Sequence, residues 1–237
     1  MSPVLSPVLP IVLVPGLLCS ARLYAPQIAA LWPFGPVMVA DHRRDSDMGA
    51  IATRVLADAP PRFALVGLSM GGYVAFAMLR QAPERVAKLA LLDTSPRPDT
   101  AEQTEARKKF IAMAETGKLG DVVDTLTPRF LHRDRHKDET LKRIVRDMAA
   151  DTGPEAFVRQ QKAIMSRPDS RPLLASIRCP GLVLVGDGDE LTPPELSKEI
   201  CAGISGARLV VVANCGHLST IEKPDAVNAA LAEWLGA

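Results

Sequence analysis

Short apolar runs alternate along this chain with segments in which apolar residues recur at helical spacing. The runs contain mostly Val, Leu and Ile, which is typical of strands buried on both faces of a parallel sheet. They predict six strands, at residues 11–14, 37–40, 64–66, 89–92, 182–185 and 209–212. The segments between them predict helices near residues 24–31, 48–57, 72–81, 194–202 and 224–234. This alternation favours an α/β fold, with a mostly parallel sheet of about six strands flanked by helices.

The alternation is interrupted once, between Ser95 and Arg171. This interval has no strand pattern, but apolar residues at helical spacing predict helices at residues 101–115, 120–126, 139–150 and 154–165. We therefore expect a core domain formed by residues 1–95 and 172–237, and a helical cap formed by residues 96–171 that covers one end of the sheet. The charged run at 129–146 is interpreted as the solvated outer face of this cap.

Charge is almost balanced along the 237 residues, with 28 Lys and Arg against 27 Asp and Glu. Because such a chain has no strong net field, we expect neither nucleic acid nor an anionic membrane as a partner. The four cysteines show neither a metal-binding spacing nor the density of a disulfide scaffold. Reduced thiols in a cytoplasmic protein are therefore expected.

The N-terminal segment, residues 1–19, is apolar and could be mistaken for a secretory signal. No Lys or Arg precedes its apolar part, and Pro3, Pro7, Pro10 and Pro15 interrupt it, so we expect no signal peptide. No other segment has the length of uncharged apolar sequence that spans a bilayer.

Ser69 lies at the centre of a Gly-x-Ser-x-Gly pattern formed by residues 67–71. A predicted buried strand precedes the pattern and a predicted helix follows it, which is the context of a nucleophile elbow. The flanking glycines allow the strand and the helix to approach each other closely at this turn. Ser69 is therefore the candidate nucleophile.

A serine hydroxyl needs a base near neutral pH, and the base needs an acid that orients it. Of the four histidines, His217 follows a predicted strand directly and should lie at the same sheet end as Ser69. His42 also follows a strand, whereas His132 and His136 fall in the charged part of the insertion. We predict His217 as the base.

Three aspartates at strand ends are candidates for the acid. Asp187 and Asp189 follow the strand at 182–185, and Asp93 follows the strand at 89–92. The chain order Ser, Asp, His favours the first two, since it is the order of the α/β-hydrolase triad. The alternative role of Asp187 is a turn residue, and that of Asp93 a cap at the start of the insertion.

Over nearly its whole length the chain resembles the α/β-hydrolase family, in the branch that contains esterases, lactonases and C–C bond hydrolases. In that family the acid stands three residues beyond a strand-ending glycine and is followed by Thr-Pro or Val-Pro. Gly186 and the pair Thr192 and Pro193 match this pattern, so the resemblance assigns the acid to Asp189.

The resemblance also implies an oxyanion hole made of two backbone N–H groups. One belongs to Met70, directly after the nucleophile. The other is expected from Leu17, since the loop after the first strand resembles the family's His-Gly-x loop. Two departures concern this region: Pro15 replaces the usual histidine, and the short segment before the loop leaves little room for the two antiparallel strands that often precede it. We expect a trimmed sheet.

These residues predict a serine hydrolase that cleaves carboxylic esters through an acyl-enzyme, without metal or organic cofactor. A zinc site at His132 and His136 is disfavoured because no third ligand accompanies them. Cys215 is expected to be a packed thiol, and Arg167 or Arg171 to belong to a rigid hinge or to contact a substrate carboxylate. The substrate-binding pocket is predicted to contain Leu17, Leu18, Met70, Leu191 and Leu218.

Such a pocket favours a small or medium apolar acyl group. The same machinery could instead open a lactone or enol-lactone, or cleave a C–C bond beside a ketone. A ligand receptor without turnover is a third interpretation, which the intact triad disfavours. The expected partner is a small-molecule ester or lactone, and the expected assembly is a monomer or homodimer.

Overall fold

The computed structural model describes residues 8–236, which contain one sheet of six parallel strands. The strands are β1 (Ile11–Val14), β2 (Val37–Val39), β3 (Phe63–Leu68), β4 (Val86–Leu92), β5 (Gly181–Gly186) and β6 (Arg208–Val212). Their order across the sheet is β2-β1-β3-β4-β5-β6. The winding direction reverses between β1 and β3, so the loops that leave these two strands diverge and open a crevice. The predicted α/β fold is confirmed.

Helices fill the connections between the strands. They are α1 (Ala25–Leu31), α2 (Met48–Asp58), α3 (Met70–Gln81), α4 (Ala101–Glu115), α5 (Leu119–Phe130), α6 (Glu139–Thr152), α7 (Pro154–Ser166), α8 (Arg171–Leu174), α9 (Pro194–Gly203), α10 (Ser219–Glu222) and α11 (Pro224–Gly236). The four helices α4 to α7, together with their flanking loops, form the interval 96–171, called the insertion below. It separates β4 from β5 in the chain although these strands are neighbours in the sheet.

The sheet has an apolar core on each face. Successive strand residues alternate between the two cores: Leu13 belongs to the one that includes α1, α11 and part of the insertion, and Val12 to the one that includes α2, α3 and α9. The inner strands β1, β3, β4 and β5 are buried along most of their length, which explains their nearly uninterrupted apolar sequences. The edge strands β2 and β6 are only partly buried.

Two element boundaries differ from the sequence prediction by three residues or more. Strand β4 begins at Val86 rather than at residue 89, since Lys88 made its first half look polar; the Lys88 ammonium donates to the Trp234 and Leu235 carbonyls at 2.9 and 3.0 Å. Helix α5 continues through Pro128 to Phe130 rather than ending at residue 126. A proline in the last turn removes only one intrahelical hydrogen bond, and Phe130 is buried.

Within residues 8–236, none of the helices combines the length and the apolar character that crossing a bilayer requires. The expectation of no signal peptide falls partly on residues 1–7, which lie outside the described residues. So does part of the expectation of a trimmed sheet; in the described part of the chain, β1 is the first strand.

Candidate active site

Ser69 occupies a strained turn between β3 and α3. Its backbone lies at φ 54° and ψ −115°, outside the regions that side-chain-bearing residues normally adopt. The Ser69 N–H donates to the Leu92 carbonyl at 2.9 Å. The Ser69 carbonyl accepts from the Thr94 hydroxyl at 2.8 Å and from the Gly72 N–H at 2.9 Å. These bonds, two from the end of the neighbouring strand β4 and one from the first turn of α3, hold the serine in a conformation that raises its side chain above the sheet edge.

The two glycines of the motif have a steric role. A Cβ atom at Gly67 would overlap the carbonyl oxygen of Gly71, and one at Gly71 would overlap the carbonyl oxygen of Val14. Hydrogen is therefore the only side chain that fits at either position while β1, β3 and α3 keep their separation.

His217 lies in the loop between β6 and α10, with its ring directed at Ser69. The His217 Nε2 and Ser69 Oγ atoms are 2.8 Å apart. The Phe130 carbonyl accepts from the N–H groups of His217 and Leu218, both at 3.1 Å, and the Phe130 ring stacks on the imidazole with centroids 6.2 Å apart. The end of α5 in the insertion thus fixes the histidine loop.

Asp189 completes a hydrogen-bonded chain behind the histidine. Its Oδ2 lies 2.8 Å from His217 Nδ1 and accepts from the Thr192 hydroxyl at 2.6 Å. Its Oδ1 accepts from the N–H groups of Leu191 and Thr192, both at 2.9 Å. All of the carboxylate's principal acceptor directions are occupied, and its side chain is fully buried.

Burial and charge act in opposite directions on this pair. Burial raises the pKa of Asp189, but the charge and hydrogen bond of His217, with the bonds from Thr192, outweigh burial and leave the pKa below its ordinary value. Burial lowers the pKa of His217, but the charge of Asp189 and its hydrogen bond outweigh burial and raise the pKa. The pair therefore favours an ionised carboxylate beside a ring that accepts a proton readily.

Asp93 and Asp187, the other two candidate acids, make different contacts. Asp93 is fully buried; its Oδ1 accepts from the Gly186 N–H at 3.0 Å, and its Oδ2 forms a short hydrogen bond with the Ser219 hydroxyl. Burial, and then the charge of Asp189, raise the pKa of Asp93 well above its usual range.

Asp187 is exposed and accepts from the Cys215 N–H at 3.1 Å, so it joins the acid and histidine loops. Of the three aspartates, only Asp189 is hydrogen-bonded to His217 within the described residues.

The two expected oxyanion donors lie in the loops that leave β1 and β3. Neither the Leu17 nor the Met70 N–H has a hydrogen-bond partner among residues 8–236, so both are available to a ligand. The side chains differ from expectation: Leu17 contacts the pocket, but those of Leu18 and Met70 do not. Leu18 packs into the core beside α1, and Met70 into the core beside α2, leaving 2 % and 0 % of these residues exposed.

A pocket of about 460 Å³ opens above Ser69, between the carboxyl edge of the sheet and the insertion. Among the expected residues, Leu17, Leu191 and Leu218 line it. The insertion adds residues that the sequence prediction did not specify individually: Gln103, Ala106, Arg107, Phe110, Leu126, Arg129, Phe130, Gln161 and Ile164.

The arginines near the pocket fall into paired and unpaired groups. Arg167 and Arg107 both bind Asp99, whose side chain is 4 % exposed, at 2.8 and 2.6 Å. Arg167 also donates to the Arg97 carbonyl at 3.2 Å, so it joins the two ends of the insertion as the predicted hinge would. Arg129, expected on the solvated face, is exposed and also lines the pocket; it has no ion-pair partner in the described part of the chain.

Arg171, the other candidate contact for a substrate carboxylate, is exposed and paired with Asp169 at 2.5 Å. The thiol of Cys215 is buried, and burial raises its pKa far above the ordinary value, so it is a poor nucleophile.

His132 and His136 each bond locally. His132 Nδ1 accepts from the Asp134 N–H at 3.3 Å, and His136 Nε2 lies 3.2 Å from the Leu131 carbonyl. In the part of the chain that is described, no group of three or more His, Cys, Asp and Glu side chains is arranged to hold a metal ion.

Sequence reasoning missed two residues at the site, His42 and Gln160. Both are buried and contact the loop that carries Leu17. The only sequence signal was indirect: Pro15 stands where the family resemblance implies a histidine.

Comparison with known proteins finds similarity to hydrolases in both sequence and structure. The sequence model described as the Alpha/beta hydrolase family matches residues 11–230. A pimeloyl-[acyl-carrier protein] methyl ester esterase from Neisseria meningitidis is 27 % identical over 212 residues, which span 85 % of this chain and 82 % of that protein.

Two solved structures are also similar. An esterase from Thermogutta terrifontis superposes with a TM-score of 0.88 at 31 % identity, covering 96 % of this chain and 89 % of that one. The enol-lactonase from Burkholderia xenovorans LB400 has a TM-score of 0.88 at 26 % identity, covering 98 % and 93 %.

Proposed function

This chain belongs to the alpha/beta hydrolase family, and we propose that it is a serine hydrolase that cleaves carboxylic esters through an acyl-enzyme. The observation that carries the proposal is the unbroken chain from Ser69 through His217 to Asp189, with both hydrogen-bond distances at 2.8 Å. The similarity to proteins named as esterases supports ester bonds as the target.

The first half of the reaction acylates the serine. Ser69 Oγ attacks the ester carbonyl carbon while His217 Nε2 takes the hydroxyl proton. Asp189 holds the Nδ1 proton of His217, which keeps Nε2 free to accept, and its charge stabilises the imidazolium that forms. The C–O bond of the tetrahedral intermediate then breaks, and the leaving alkoxide takes the proton from His217 Nε2.

The second half repeats these steps with water. His217 removes a proton from a water molecule, whose oxygen attacks the acyl carbon. When the intermediate collapses, Ser69 Oγ leaves with the proton from His217, and the carboxylic acid is released. This scheme uses only side chains and backbone groups of the chain and calls for no metal or organic cofactor.

Negative charge develops on the carbonyl oxygen in both halves. The unpartnered N–H groups of Leu17 and Met70 are the proposed donors to it. They are fixed before substrate arrives, so their stabilising effect requires no reorganisation during the reaction.

The proposed substrate carries a small or medium apolar acyl group. The pocket volume of about 460 Å³ lies in the range of small-molecule sites, and Leu17, Leu126, Ile164 and Leu218 contribute apolar walls. In this proposal residues 1–95 and 172–237 form the catalytic core, and residues 96–171 form the cap that selects substrates. We propose that the protein acts in the cytoplasm on a small molecule, as a monomer or homodimer.

A lactone or enol-lactone is the main alternative substrate, supported by the similarity to the enol-lactonase. Cleavage of a C–C bond beside a ketone would use the same triad. A receptor that binds ligand without turnover would not need the acid and base to be aligned with Ser69, and it is therefore disfavoured.

Hydrolysis of a panel of substrates, which includes esters of increasing acyl length, tests the proposal. Aryl esters with acyl chains of two to ten carbons, simple lactones and a vinylogous diketone are compared for the wild type and Ser69→Ala. The proposal predicts highest kcat/KM for short or medium esters, with loss of turnover in Ser69→Ala. Turnover of lactones alone would support the alternative, and binding without turnover of any substrate would support the receptor.

A further inference from the structure

The loop between β1 and α1 carries the Leu17 N–H. Its conformation is held by a turn of its own, in which the Cys19 N–H donates to the Gly16 carbonyl at 3.2 Å, and by contacts from other parts of the chain. Leu18 has a positive φ of 59°, a conformation that costs energy for a leucine. Strand β1 fixes only the first end of this loop. On the strand side, the Tyr24 hydroxyl donates to the Val14 carbonyl at 3.0 Å.

His42 holds the next residue of the loop. It lies between β2 and α2, is 2 % exposed, and places its Nε2 atom 2.9 Å from the Pro15 carbonyl oxygen. A carbonyl only accepts hydrogen bonds, so Nε2 carries the proton. Burial, the largest influence, keeps the pKa of His42 below its ordinary value despite the Pro15 bond and the Asp41 charge, while Arg43 opposes protonation. The ring is therefore neutral, and its Nδ1 atom is an acceptor.

Gln160 from helix α7 supplies the matching donor. Its Nε2 lies 3.0 Å from His42 Nδ1, and its Oε1 accepts from the Leu18 N–H at 3.1 Å. Gln160 is fully buried. The direction of each hydrogen bond is determined, because reversing the amide would place two acceptors face to face at His42 Nδ1 and two donors face to face at the Leu18 N–H.

The two side chains form a closed circuit of hydrogen bonds that starts at Pro15 and ends at Leu18, on either side of Leu17. Helix α7 and the neighbouring loop are joined at a second point, where Arg159 Nε donates to the Arg43 carbonyl at 2.8 Å. The insertion therefore reaches the oxyanion loop through buried polar groups as well as through the apolar wall of the pocket.

We propose that His42 and Gln160 are positioning residues that hold the Leu17 N–H in place, and that the insertion thereby contributes to kcat as well as to substrate choice. This inference rests on the proposed serine-hydrolase function. An oxyanion donor acts mainly in the transition state, so loosening the loop lowers kcat and leaves KM nearly unchanged.

The test replaces the amide with an apolar side chain of similar length. Gln160→Met removes both hydrogen bonds of Gln160, and Lys162→Met makes the same new residue at an exposed position of the same helix. With a short aryl ester, we expect kcat of Gln160→Met to fall by about 10- to 100-fold. This is less than the roughly 10²- to 10³-fold loss that follows removal of an oxyanion donor, because the donor is loosened and not removed. KM stays within about twofold, and Lys162→Met matches the wild type.

A second variant separates positioning from packing. Gln160→Glu keeps an acceptor for the Leu18 N–H and, once His42 takes a proton, an acceptor for its Nδ1–H as well. We expect it to retain at least a third of the wild-type kcat at pH 6. An alkyl boronic acid, which forms a tetrahedral adduct with the serine, should lose affinity in Gln160→Met by the same factor as kcat.

Unchanged kcat and boronate affinity in Gln160→Met would overturn the inference. So would a loss confined to KM, or the same loss of kcat in Gln160→Glu as in Gln160→Met. If Gln160→Met does not fold, Gln160→Glu decides at pH 6, where a loss of kcat greater than about threefold overturns the inference. Failure of the proposed function is distinct, since the wild type itself would then neither hydrolyse the ester nor bind the boronate.

Discussion

The Asp189→Asn substitution changes one atom of the site and tests how the histidine is oriented. The Oδ1 atom of Asp189 accepts from two backbone N–H groups, of Leu191 and Thr192, at 2.9 Å each. An asparagine must keep its carbonyl oxygen there, because reversing the amide would set two donors against two donors. Its NH₂ group then replaces Oδ2, 2.8 Å from His217 Nδ1.

A donor at that position forces His217 into the wrong tautomer. Nδ1 becomes the acceptor and Nε2 carries the proton, which points at Ser69 Oγ 2.8 Å away. Nε2 then has no lone pair to receive the hydroxyl proton. Where an asparagine has this effect in a serine protease, kcat falls by about 10⁴-fold. That factor equals about 5 kcal/mol of transition-state stabilisation, and we expect a loss of this size here.

The assay is stopped-flow hydrolysis of an aryl ester at pH 7.5, with the Tm of each variant measured in parallel. Asp187→Asn is the matched control, since Asp187 is exposed and its asparagine oxygen can still accept from the Cys215 N–H. We expect the control to keep its kcat within about threefold. A loss of less than tenfold in Asp189→Asn, or a greater loss in Asp187→Asn, would refute the tautomer argument.

Three further substitutions test steric, titration and pocket arguments. Gly71→Ala puts a methyl group against the Val14 carbonyl oxygen and should lower the unfolding free energy, measured by urea titration, by about 3 kcal/mol. Its control is Gly120→Ala, which has no atom near the new methyl group and should raise the unfolding free energy by about 0.5 kcal/mol. Asp93 has a raised pKa in the folded state, so it binds a proton that the unfolded chain releases above about pH 4, and stability falls as pH rises. Asp93→Asn should therefore flatten the dependence of unfolding free energy on pH between 5 and 8; an unchanged slope would contradict this. Arg129→Gln should lower kcat/KM for an ester with a distal carboxylate by up to about fivefold relative to its neutral isostere, since Arg129 lines the pocket without an ion-pair partner among the described residues.

The inner strands were predictable because burial on both faces leaves a nearly uninterrupted apolar signal. The element boundaries were less so. Lys88 lies inside β4 and Pro128 inside α5, and each residue type is normally taken to end its element. In both cases a tertiary contact outweighs local preference: backbone carbonyls of the C-terminal helix bind the lysine, and burial of Phe130 stabilises the last helical turn.

The positions of Ser69, His217 and Asp189 at strand ends follow from the strand pattern and the chain order, because parallel strands deliver their carboxyl ends to one edge. Side-chain direction does not follow in this way. Leu18 and Met70 lie in the expected loops, yet their backbone conformations send the side chains into the core.

The hydrogen bonds that join His42 and Gln160 to the loop carrying Leu17 could not be predicted from the sequence, for a related reason. The two residues are 118 positions apart, and nothing in either local sequence marks them as partners. Only the packing of α7 against the loops of the core brings them together.

Covalent labelling of the nucleophile tests the central claim most directly. An alkyl fluorophosphonate reacts with an activated serine, which attacks phosphorus and displaces fluoride. Trypsin releases residues 63–80 as one peptide, in which Ser69 is the only serine. The account predicts a single phosphonate adduct on that peptide, with ester hydrolysis lost in proportion to labelling and no adduct in Ser69→Ala. An adduct elsewhere, or full hydrolytic activity in protein whose Ser69 is completely labelled, would contradict it.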